Sequence, residues 1–92
     1  LRRYEPLDKS WERSAPLDRA RVQVLPALIK QHAKNTETLR AGGYTSVARV
    51  PLRTLREAMG IEEGAFYTVI DELEAAGLIL REHGLARPIG VT

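Results

Sequence analysis

Five arginines are the residues with chemistry to offer: Arg49, Arg53, Arg56, Arg81 and Arg87. A guanidinium is planar, permanently charged and forks onto paired oxygens, so arginines grouped around one stretch can touch phosphates. Arg49, Arg53 and Arg56 flank or lie on a short expected helix, and Arg81 and Arg87, with His83, fall near the end of the chain. Thr54, Tyr67 and Thr68 are the hydrogen-bonding neighbours that join this set as candidates. The plainer use of the same arginines is solubility and salt bridging, for example Arg53 with Glu57 at i, i+4. Both uses stay open on the sequence.

Other chemistries find no footing. The chain has no cysteine, which removes disulfides and thiolate metal sites and points to the cytoplasm as the expected compartment. His32 and His83 are isolated, and no Ser, His and Asp set stands at catalytic spacing. Gly42-Gly43 lacks the helix and lysine that a phosphate-cradling loop requires. No catalytic, metal or cofactor residue is assigned, and no enzymatic activity is expected. There is no apolar run of about 20 residues, so no membrane partner is expected. LRRYEP is not followed by the apolar core of a signal peptide. Because it starts at Leu1, the chain reads as processed or as a piece of something longer.

The 92 residues are enough for one small domain with one core. The net charge is only +2, but it is unevenly spread: residues 1–60 carry 12 Lys/Arg against 6 Asp/Glu, whereas residues 61–80 carry 5 acids and no base. The domain is therefore expected to be a charge dipole.

Positioning these residues is the work of residues 51–80, which read as a short helix, a glycine turn, a longer helix, a glycine stop and the start of a strand. Pro51 opens the short helix, Leu52, Leu55 and Met59 form its buried face, and Gly60 ends it. Ile61 plugs the core. Phe66, Val69, Ile70 and Leu73 recur at i, i+3, i+4, i+7 in the longer helix, and Gly77 stops it. Leu78, Ile79 and Leu80 begin a strand, 83–87 turn, and Ile89 to Thr92 return antiparallel. Upstream, residues 15–34 form a first long helix, with Ser14 as cap and an apolar stripe of Leu17, Val22, Val24, Leu25, Leu28 and Ile29. Pro26 should kink or split it near Val24. Its end falls at Asn35-Thr36 or as late as Ala41. His32 reads as a helix-surface or core-edge residue. After Gly42-Gly43, residues 44–50 (YTSVARV) read as one strand. Residues 1–14 form an N-terminal arm, in which Leu7 and Trp11 lie at i, i+4; Trp11 is a packing anchor or an exposed partner contact.

The stretch Val50 to Leu80 resembles the winged helix-turn-helix superfamily of bacterial, archaeal and phage regulators. The marks are the small strand SVARV, a Pro-initiated helix with Leu52 and Leu55, the Met59-Gly60-Ile61 turn, and a third helix ending in LEAAGLI, Leu73 to Ile79. With the first long helix and a wing in residues 78–92, the resemblance covers most of residues 15–92. It implies a mainly α fold with a small β-sheet: a three-helix core plus a short β-wing.

The resemblance also implies double-stranded DNA as partner, with the third helix toward the major groove. The positions facing DNA would be Glu62, Glu63, Ala65, Tyr67, Thr68 and Asp71, none of them basic. Acids there oppose phosphate attraction. The helix dipole explains Glu62 and Glu63 simply; a glutamate accepting from cytosine N4 is the functional alternative. Phosphate contacts would then fall to Arg49, Arg53, Thr54 and Arg56 around the second helix and to Arg81 and Arg87 in the wing. Tyr67 and Thr68 would reach the bases. The reading from another class is a protein-docking or self-association module, working as a homodimer or with a protein partner through the N-terminal arm, the first helix or the acidic third helix.

Overall fold

A computed structural model of the chain describes residues 10–89, with side chains from Pro16 onward. The order of elements is α1 (Ser10–Ala41), β1 (Val50–Pro51), α2 (Leu52–Met59), α3 (Glu63–Ala75), β2 (Ile79–Glu82) and β3 (Leu85–Pro88). The architecture is mainly helical, with one three-stranded antiparallel sheet ordered β1-β3-β2.

α1 starts earlier than the sequence suggests and ends at Ala41, the later of the two expected ends. It begins at Ser10, so Ser14 lies inside the helix and does not cap it. It also runs unsplit through Pro26. Proline there removes the hydrogen bond to the Val22 carbonyl. Yet Pro26 faces solvent, and the buried Val24 and Leu28 clamp the turns on either side of it to the core. The polar stretch after Lys34 stays helical, with Thr36 Oγ1 donating to the His32 carbonyl (2.9 Å) and Thr38 Oγ1 to that of Lys34 (3.0 Å). Gly43, in the left-handed region at φ 83°, then turns the chain. His32 is half-buried at the edge of the helix, as expected. Val22 is a correction: it is 72% exposed and outside the core. Leu7 and the Trp11 side chain lie outside the described residues.

The strand expected over residues 44–50 shrinks to Val50–Pro51, because only these two residues find a partner, Ala86 and Leu85 of β3. Residues 44–49 instead run back beside α1, where Asn35 Nδ2 donates to the Arg49 carbonyl (3.0 Å). β-Branched residues favour a strand only when a neighbouring strand is there to pair. The returning strand starts earlier than expected and spans Leu85–Pro88; of the expected Ile89–Thr92, residues 90–92 lie outside the described residues. His83 and Gly84, both at positive φ (51° and 78°), close a two-residue loop, the combination that a type I′ hairpin turn needs.

The core forms where α1, α3 and the sheet meet. Val24 and Leu28 of α1, Leu52 of α2, Phe66 and Ile70 of α3 and Ile79 of β2 are its largest fully buried members. Ala20 and Ala86, small and completely covered, allow α1 and β3 to approach closely. A buried Phe66 or Ile70 contributes about 1.5–3 kcal/mol relative to exposure. Among the described residues no polar or charged side chain is buried, so any chemistry belongs to the surface. No helix among them is long and apolar enough to cross a membrane.

Candidate nucleic-acid interface

The turn between α2 and α3 fixes the geometry of the candidate residues. Gly60 adopts the left-handed conformation (φ 67°), and its N–H closes α2 on the Arg56 carbonyl at 2.9 Å. Ile61, buried as expected, anchors the link. Glu62 then caps α3: its carboxylate accepts from the backbone N–H groups of Gly64 (2.9 Å) and Ala65 (3.2 Å). This role uses the positive end of the helix dipole directly.

Two further acids of α3 are engaged within the chain. Asp71 accepts from Arg81 at 2.8 Å, and the Arg81 guanidinium also lies 5.6 Å from the centre of the Tyr67 ring. Tyr67 in turn stands edge-on to Phe66, with ring centres 5.1 Å apart. Glu72 accepts two hydrogen bonds from Arg21 of α1, at 2.9 and 3.2 Å. The hydrogen bond from Arg21, reinforced by its charge, lowers the Glu72 pKa from the ordinary glutamate value, and the same contact raises that of Arg21. Arg21 escapes a sequence reading because its partner lies 51 residues away.

The arginines around α2 are less engaged. Arg53 is 83% exposed and makes one long contact, 3.4 Å to Glu57, the i, i+4 pair that the spacing suggests. Arg56 is half-buried; its Nε is fully covered and has no hydrogen-bond partner among the described residues. Packing of this stem limits the motion of the guanidinium, so little side-chain entropy remains to be lost on contact. Arg53, Arg56, Glu63 and Tyr67 together line a polar cleft of about 280 Å³ between the two helices. Glu63, one of the positions expected to face DNA, stands at this cleft.

The remaining candidates disperse. Arg49 faces Glu82 of the hairpin at 3.9 Å. Thr54 lines a different groove, between α1 and α2, with Gln31, Asn35 and Ala58. Thr68 is exposed on α3. Arg87 stands level with Leu80 on the hairpin face opposite to that of Arg81, since Arg81 pairs with its neighbour Ala86. The structure thus groups Arg53, Arg56 and Tyr67, joins Arg81 to them through the Tyr67 ring, and leaves Thr54 and Arg87 apart. Neither the family models, the curated proteins nor the solved structures compared with this chain gave a match.

Proposed function

We propose that the chain is a winged helix-turn-helix domain that binds double-stranded DNA, as part of a transcriptional regulator or a DNA-processing protein. The order α1-β1-α2-α3-β2-β3 with a closing hairpin supports the fold reading. The observation that carries the function is the cleft beside the α2–α3 turn, where Arg53 and the half-packed Arg56 meet the Tyr67 side chain. Two arginines without a close internal partner fit a phosphate on the rim of a groove. α3 then faces the major groove with Tyr67 and Thr68; Glu62, Asp71 and Glu72 are occupied by Gly64 and Ala65, by Arg81 and by Arg21, and Glu63 is the acid that stands in the cleft beside the arginines. The reading of α3 as an acidic docking surface loses support from the same contacts.

The test is fluorescence anisotropy with mixed-sequence duplex DNA across a salt series. Affinity should fall steeply with salt, and the Arg53→Ala/Arg56→Ala double variant should flatten the log–log slope by about 2, one phosphate per arginine. No binding at low salt overturns the proposal.

A further inference from the structure

We propose that two copies of this chain associate through the outer face of α1, antiparallel and centred on Ile29. The inference stands apart from the DNA reading, because it uses neither α2 nor α3.

α1 carries two apolar stripes. Leu17, Ala20, Val24 and Leu28 face the core. Val22, Leu25 and Ile29, with Pro26 and Ala33 beside them, form a second stripe about 130° further round the helix at 3.6 residues per turn, with Leu25 at its inner edge, half-buried against the core. Val22, at 72%, is the most exposed large apolar side chain among the described residues. Ile29 is half-buried yet lies outside the core cluster, and Pro26 and Ala33 are exposed. The segment returning from Gly43 adds to this side of the molecule. Tyr44 and Val47, 63% and 61% exposed, border a groove that His32, Thr36 and Arg40 line from the helix.

The identity of the partner follows from charge. Asp18 and Arg40 lie on this same face, at its two ends, and both are exposed. Among the described residues Arg40 has no ion pair and Asp18 has only a 3.8 Å contact with Arg21, which is already bound to Glu72. In an antiparallel pair centred on Ile29, residues whose numbers add to 58 stand level. Asp18 then meets Arg40 of the second copy, Val22 meets Thr36, Leu25 meets Ala33, and Ile29 meets itself. The two-fold axis makes the Asp18–Arg40 pair twice, and the small Ala33 leaves room for Leu25. Parallel pairing would set Asp18 against Asp18 and Arg40 against Arg40, which like-charge repulsion opposes. The face is therefore self-complementary, as a two-fold interface must be. The matched stretch runs about 33 Å at 1.5 Å per residue. A contact of this size sits at the small end of specific interfaces, so the dimer should be reversible.

Sedimentation velocity of the 92-residue chain from low micromolar to near-millimolar concentration tests the proposal. The expected result is a concentration-dependent shift from monomer to dimer. Val22→Glu should hold the chain monomeric while its circular dichroism and thermal midpoint stay unchanged, since Val22 is exposed. Asp18→Arg and Arg40→Asp should each weaken the dimer by about tenfold, and the double variant should restore it. A wild-type chain that is monomeric throughout, a Val22→Glu variant that dimerises as before, or a charge swap that fails to restore the dimer each overturns the proposal.

Discussion

α2 and α3 are neighbours of opposite charge, and the two sets of charges are tied into the fold to very different degrees. On α3, Glu62 caps the helix, Asp71 binds Arg81 and Glu72 binds Arg21. On α2, Arg53 has one long contact and Arg56 has none among the described residues. Formal charge thus misrepresents both helices. Glu62, Asp71 and Glu72 are held by the helix's own N-terminus, by the hairpin and by α1, which leaves Glu63 and Glu74 as the acids of α3 without an ion pair among the described residues, whereas the arginines of α2 remain largely available to an external anion.

The largest effect that separates the two is Phe66→Ala. It removes a fully buried ring from α3 and should lower the unfolding free energy by about 3–5 kcal/mol, read by urea denaturation. That is a large share of the stability of a domain this size. The Arg53→Ala/Arg56→Ala variant should do the reverse, weakening duplex binding while changing stability by no more than about 1 kcal/mol. A loss as large as that from Phe66→Ala would make these arginines structural and erase the contrast. Smaller again, Glu62→Ala should cost about 1 kcal/mol through the lost cap, yet DNA affinity should not fall, because a negative charge has been removed from the approach. If affinity falls, Glu62 is a contact and not only a cap.

The smallest effect is a pH dependence at Glu72. Its folded pKa is lowered, chiefly by the Arg21 hydrogen bond, so the folded state binds this proton less readily than the unfolded chain does. The stability from this pair is present above the ordinary glutamate value of 4.5 and is lost as pH falls through the lowered folded value. Thermal unfolding of Glu72→Gln against the parent should show a slightly weaker acid dependence in the variant. The same acid dependence in both would mean that the pair contributes nothing measurable, as is common for exposed ion pairs.

What the sequence reveals of this molecule is mainly what is local. Gly60 and Gly77 mark helix ends because left-handed backbone is needed there, at φ 67° and 76°. Phe66, Val69 and Ile70 announce their burial by helical spacing, and Ile61 by its apolar side chain in the turn before them. The failures are non-local. YTSVARV has strand-like residues, but only Val50 of them pairs with β3, because the residues before it run beside α1, where Asn35 takes the Arg49 carbonyl. Pro26 suggests a break, and it takes the packing of Val24 and Leu28 on either side to keep the helix whole. His83-Gly84 and the residues after it look alike as turn formers until the ladder shows Leu85 opposite Glu82. Of the candidate site, the Arg53–Glu57 pair was legible from its spacing. The release of Arg56 was not, nor were the partners of Asp71 and Glu72, because each depends on elements distant in the chain.

The start of α2 holds one more consequence. Pro51 offers no side-chain cap, and the first N–H of the helix, that of Leu52, donates to the carbonyl of Gly84 at 2.9 Å. A helix of eight residues is thereby completed by a hairpin tip made much later in the chain. On the ribosome, this helix must wait for the hairpin to emerge before its first amide is satisfied. In hydrogen exchange, that amide should open together with the hairpin, so the Leu52 N–H reports when the last part of the fold has closed.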